Sequence, residues 1–91
     1  MKTAKQIERH LKGVANHWRI EILMVIAKNE NMNLEQIAES VDGNMKTIAE
    51  HVRRLHQAGL INKKYAGRNV QHSLSPYGKT LYKFIQTFSH S

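Results

Sequence analysis

The sequence predicts a mainly α-helical domain with one small β-hairpin, in the order helix-helix-helix-helix-strand-strand-helix. Three observations predict it. Apolar residues recur at helical spacing in five stretches, three of them preceded by a capping residue. Two short segments flank an Ala-Gly-Arg turn after the fourth stretch. Positive charge gathers on that fourth stretch and on the two segments behind it.

In residues 3–14, Ile7, Leu11 and Val14 fall at i, i+4 and i+7 with charges between them, an amphipathic helix. Asn16 can cap residues 17–28, where Trp18, Ile20, Ile22, Leu23, Met24, Val25 and Ile26 leave almost no polar side, so this helix should be central. A polar loop, 29–33, leads to Asn33, the cap of a short helix over 34–41 that turns Leu34, Ile37, Ala38 and Val41 inward. Asp42-Gly43 breaks it. A helix over about 45–58 follows, with Met45, Ile48, Val52 and Leu55 on one inward stripe and Gly59 in the left-handed conformation that ends it. Residues 60–65 and 69–74 read as a hairpin with Arg68 at its tip. Ser75 and Pro76 start the last helix, to about residue 88, which should bury Tyr77, Leu81, Phe84, Ile85 and Phe88.

The chain has 91 residues, which sets one domain as the expectation, residues 1–91. It has no cysteine, so disulfides and thiolate metal sites are ruled out. No stretch is long and apolar enough to span a bilayer and no signal-peptide core is visible, so a cytoplasmic, prokaryotic and nucleoid-associated location is expected. The six histidines (His10, His17, His51, His56, His72 and His90) form no ligand pair at helical spacing, so no metal and no cofactor is expected. With one aspartate, no glycine-rich phosphate loop and no paired carboxylates off exposed helix faces, no active site is visible, and the chain is not expected to be an enzyme.

The net charge is +7. Residues 44–72 hold Lys46, Arg53, Arg54, Lys63, Lys64 and Arg68 against Glu50 alone, a net of +5 in one third of the chain. Such concentration suits a surface that meets phosphates, since each neutralised phosphate releases counterions. Two helices joined by a tight turn, the second basic outside, followed by a basic hairpin, describe a winged helix-turn-helix. Ala38 is small where the two helices approach, and Ile48 can fill the angle between them.

The segment Val14-Ala-Asn-His-Trp-Arg-Ile-Glu-Ile-Leu23 resembles the opening Ala-Asp-Pro-Thr-Arg-Leu-Arg-Ile-Leu of ArsR-type regulators, with Arg19, Ile22 and Leu23 matching. Leu34-Glu-Gln-Ile-Ala38, Thr47-Ile-Ala-Glu-His-Val-Arg-Arg-Leu55 and Ala58-Gly-Leu-Ile61 resemble that family's helix-turn-helix, with its His-Leu-x-x-Leu and Ala-Gly-Leu-Val ending. Leu74-Ser-Pro-Tyr-Gly-Lys79 is similar to the Leu-Thr-x-x-Gly-Lys of MarR-like regulators. The resemblance implies a DNA-binding regulator. The family's Cys-x-Cys sensor, which would fall near residues 35–37, is missing, and the last helix lacks the Asp and His of the alternative metal site.

On the recognition helix, Asn44, Lys46, Thr47, Glu50, His51 and Arg54 can project from the apolar stripe, while Arg53 lies beside it, suited to phosphate or to packing its stem. Lys46 can donate to guanine, Asn44 and Thr47 can reach bases or phosphates, and Glu50 can accept from cytosine. Glu50 can equally pair with Arg54 four residues on, and His51, which matches the family histidine, can equally be a satisfied half-buried side chain. Lys63, Lys64 and Arg68 of the wing, about 60–74, would clamp the backbone, with Arg68 able to enter a minor groove. Ile7, Leu11, Val14, Leu81, Phe84, Ile85 and Phe88 offer more apolar surface than one small core hides, so the terminal helices, about 3–14 and 76–88, should pair two copies. The reading is a sequence-specific double-stranded DNA-binding regulator, a homodimeric repressor with no membrane partner. The alternative is an architectural chromatin protein of the same fold that binds DNA without sequence preference.

Overall fold

The computed structural model describes residues 1–90. Five helices and one hairpin run in the expected order: α1 (Ala4–Val14), α2 (His17–Lys28), α3 (Leu34–Ser40), α4 (Met45–Gln57), β1 (Ile61–Ala66), β2 (Asn69–Leu74) and α5 (Pro76–Ser89). Side chains close the helix starts. Thr3 with Gln6, and Asn33 with Gln36, form reciprocal capping boxes on α1 and α3. Asn16 and Asn44 each accept two backbone N–H groups at the starts of α2 and α4, and Ser75 caps α5.

The core is aliphatic. Ile22, Leu23 and Ile26 of α2, Ile37 of α3, Ile48 and Leu55 of α4, and Leu60 and Ile61 entering β1 are almost wholly buried, each contributing about 1.5–3 kcal/mol by leaving water. As expected of a central helix, α2 packs against every other helix and β2. Ala38 and Ile48 are both buried where α3 meets α4. Between those helices Asp42 adopts φ +53°, so an aspartate, tolerated there better than most side chains, makes the left-handed step of the turn.

β1 and β2 pair antiparallel from Ile61↔Leu74 to Ala66↔Asn69, leaving Gly67 and Arg68 as a two-residue turn. Ala66 is thus a strand residue. Gly67 alone of the two turn residues has positive φ, +62°. The segment before α3, expected as a polar loop, bridges to the wing: the Asn31 N–H donates to the His72 carbonyl, and the His72 N–H donates to the Met32 carbonyl at 3.0 Å. A third short edge therefore ties the hairpin to the helix-turn-helix.

The apolar faces differ from expectation at five residues. Met45, placed on the inward stripe of α4, is 47% exposed, while Ile48, Val52 and Leu55 of the same stripe are buried. Tyr77, Phe84 and Phe88, expected to be buried by α5, are 51%, 59% and 72% exposed, since α5 packs on the core through Leu81, Tyr82 and Ile85 instead. Val14, expected at a dimer interface, is buried in this chain's own core and has no surface to offer a second copy. Ile7 and Leu11 stay about half-exposed.

Candidate nucleic-acid interface

α4 enters the surface from the Asn44 cap. The Asn44 side-chain oxygen accepts from the backbone N–H groups of Lys46 (2.9 Å) and Thr47 (3.3 Å), so this residue orders the helix start and its oxygen is occupied. Lys46 and Thr47 are exposed and make no side-chain hydrogen bond among the described residues. They are the free polar groups of the first turn.

One turn on, Glu50 is gripped by both arginines. Arg53 donates to both carboxylate oxygens, through Nε at 2.9 Å, and Arg54 Nε donates at 3.2 Å. The Arg53 hydrogen bonds hold the Glu50 carboxyl below the usual carboxylate range, and Glu50 in turn raises Arg53. Of the two roles open to Glu50, the geometry displays the intrahelical pair, extended to a second arginine three residues away.

His51 is half-buried between α4 and α2, and its Nδ1 lies 3.2 Å from a terminal nitrogen of Arg19. A guanidinium can only donate, so Nδ1 accepts and the imidazole is neutral with its proton on Nε2. Burial pushes its pKa down, and the charges of Arg19 and Arg54 push the same way. Arg19, singled out by sequence only as a matching motif residue, thus belongs to this surface.

In the wing, Arg68 is exposed at the tip. Lys63 pairs in register with buried His72, while Lys64 pairs with Gln71. Successive strand residues face opposite sides, so the two lysines do not form one patch. Lys63 is half-buried on the inner side and Lys64 is exposed on the outer. His72 Nδ1 meets the Met32 carbonyl at 2.8 Å, which requires a proton on that nitrogen; burial lowers its pKa against this bond, assisted by Lys63 and His56.

α1 clasps the far end of α4. Arg9 donates to the Gln57 carbonyl and His10 Nδ1 meets the Ala58 carbonyl at 2.6 Å, satisfying two carbonyls that the helix end leaves open. Gly13 permits the approach, for a Cβ there would lie 2.2 Å from that of Ala58. Sequence reasoning passed over Arg9, His10 and Gly13 because their partners are more than forty residues away. Among the described residues no group of three His, Cys, Asp or Glu is placed to hold a metal, and no helix is long and apolar enough to cross a membrane.

Solved structures share this fold. The homodimeric winged helix-turn-helix DNA-binding domain Mb0332 from Mycobacterium bovis, described as a possible ArsR-family transcriptional regulator, matches with a TM-score of 0.84 at 24% identity over 94% of this chain and 80% of that one. HlyU from Vibrio cholerae matches at 0.87 and 21% identity, covering 99% of this chain and 98% of its own. NolR from Sinorhizobium fredii matches at 0.82 and 22%, covering 96% and 84%. The fold is therefore the winged helix-turn-helix that the resemblance to ArsR-type regulators implied. No curated protein sequence matches the chain. A family model does, over residues 14–79, from the end of α1 through the helix-turn-helix and wing into the first turn of α5, and the chain accordingly belongs to the HVO_A0114 family.

Proposed function

We propose that the protein is a sequence-specific double-stranded DNA-binding transcription regulator that acts as a homodimeric repressor in the prokaryotic cytoplasm, on the nucleoid. The whole chain serves as one DNA-binding domain. α4 lies in the major groove, where Lys46 and Thr47 meet base edges, Asn44, Glu50 and His51 stand beside them, and Arg53 and Arg54 reach phosphates. The wing meets backbone or minor groove through Arg68 and Lys64, with Lys63 nearer the inner side. α1 and α5 pair two copies through Ile7, Leu11, Leu81, Phe84, Ile85 and Phe88, with Tyr77 at their margin, and the two reading helices then address a palindrome.

The observation that carries this reading is the exposed cationic face of α4 and the wing on a winged helix-turn-helix frame. That neighbours of this fold are transcription regulators, and that the Mycobacterium bovis domain is a homodimer, supports it. The test selects sites from random DNA, then compares winning and scrambled duplexes across salt for wild type, Lys46→Ala and Arg68→Ala. A palindromic winner whose preference Lys46→Ala relaxes by about 1–3 kcal/mol supports the regulator.

One observation favours the architectural alternative. With the Asn44 oxygen occupied and Glu50 held by two arginines, the polar reading set of α4 shrinks to few free groups. Equal, steeply salt-dependent binding to all duplexes would establish that reading instead.

A further inference from the structure

A pocket of about 220 Å³ lies between α1, the first turn of α2 and the C-terminal half of α4. It is lined by Arg9, Lys12, Arg19 and Arg54, with Gly13, Gln57 and Ala58. Four cations line it and no acid does. The acids within reach sit outside: Glu8 is 3.9 Å from Lys12 with both side chains well exposed, and Glu50 meets Arg54 at 3.2 Å while bonding chiefly to Arg53. Like charges around one cavity repel unless something negative sits among them.

Arg19 makes the deficit specific. One terminal nitrogen is spent on neutral His51, and its Nε is buried without a hydrogen-bond partner. A buried donor left unmade is unfavourable, and a guanidinium cannot shed its proton to escape. Burial and the Arg54 charge both push the Arg19 pKa down, yet relief can come only from an acceptor or an anion. Forked guanidinium donors match tetrahedral oxyanions best. The cavity is smaller than the roughly 300 Å³ at which drug-sized ligand pockets begin, which suits a hydrated oxyanion better than a nucleotide.

We propose that this pocket binds a phosphate group, as a free tetrahedral oxyanion or as a backbone phosphate of bound DNA, with Arg9, Arg19 and Arg54 as guanidinium donors and Lys12 as a fourth charge. The first source is independent of the DNA-binding function proposed above, and the second rests on it.

The test titrates the full chain with inorganic phosphate at constant ionic strength, following by NMR the amides of Gly13, Gln57 and Ala58 and the Arg19 Nε–H. Arg9→Gln, which removes one guanidinium fork, and Lys12→Gln, on an exposed side chain, are titrated alongside after their thermal unfolding is matched to wild type. Saturable shifts in all four signals, weakened about tenfold or more in Arg9→Gln, assign a free-anion site. Should phosphate be silent, DNA titrations decide: movement of the Arg19 Nε–H in the complex, with a salt slope reduced by about one in Arg9→Gln, assigns a backbone phosphate. Silence toward phosphate, joined to an unchanged slope or to no DNA binding at all, overturns the proposal. Phosphate binding in a protein that ignores DNA would keep this site and remove only the regulator reading.

Discussion

Arg19 on α2 donates to the Nδ1 of His51 on α4 across 3.2 Å, so burial and a permanently charged neighbour together favour the neutral form of this histidine. Protonating His51 would set two donors against each other. The same residue pair links the cationic pocket to the face of α4 proposed to meet DNA.

That link predicts acid sensitivity. Folding holds the pKa of both His51 and His72 below the ordinary imidazole value, mainly through burial. A histidine depressed in the folded state adds stability that is full above its unfolded pKa and is lost as pH falls through the folded one. Thermal unfolding should therefore be flat from pH 8 to about 6.5 and decline at lower pH. Imidazole NMR titrations should place His51 and His72 below the ordinary imidazole value. A midpoint that stays constant down to about pH 5 would refute this assignment.

Glu50 restrains two arginines, and Glu50→Gln should release them. DNA affinity at low salt is then expected to rise and the salt slope to steepen by about one phosphate contact. Fluorescence anisotropy over a salt series checks it, and an unchanged slope would mean that neither arginine reaches the backbone.

Gly78 packs on the α4–β1 junction so closely that a Cβ there would stand 2.0 Å from the Leu60 carbonyl oxygen. Ser75 is locked to the same junction, its hydroxyl donating to the Gly59 carbonyl at 2.6 Å. Gly78→Ala must push α5 outward, and should cost about 1–3 kcal/mol in urea unfolding, as other overpacked substitutions do. Fully native stability would show that the junction yields.

Ile7, Leu11, Phe84 and Phe88 are 46–72% exposed on the two terminal helices. Leu11→Asp combined with Phe84→Asp should leave monomers in sedimentation velocity, with weakened binding to a palindrome and little change in half-site contact. A wild type that sediments as a monomer at all concentrations would remove the dimer.

The sequence was most legible where the signal is local. Asn16, Asn33 and Ser75 cap where they were expected to, because a cap needs only the next three backbone N–H groups. The aliphatic core of α4 followed from periodicity and that of α2 from its lack of a polar side. Met45 and Val14 went astray because periodicity says which face is apolar but not how far a neighbour extends over it. Lys63 and Lys64 looked like one basic patch until register placed them on opposite faces. The Met32–His72 bridge, the clasp of Arg9 and His10 on α4, and the role of Arg19 depend on partners 32 to 48 residues away, and no local pattern announces such contacts.

The clasp of α1 on α4 also has a mechanical meaning. Gly13 packs directly on the Ala58 methyl and two hydrogen bonds pin the joint, so the helix proposed to meet a second copy and the helix proposed to meet DNA are coupled like the two arms of a crank. In the proposed dimer, a tilt of one copy against the other would then be felt at the end of α4 proposed to meet DNA. The distance between half-sites that such a pair can span would then be geared to how the copies lean, and a small wedge at the pairing helices would act as a long lever on the DNA.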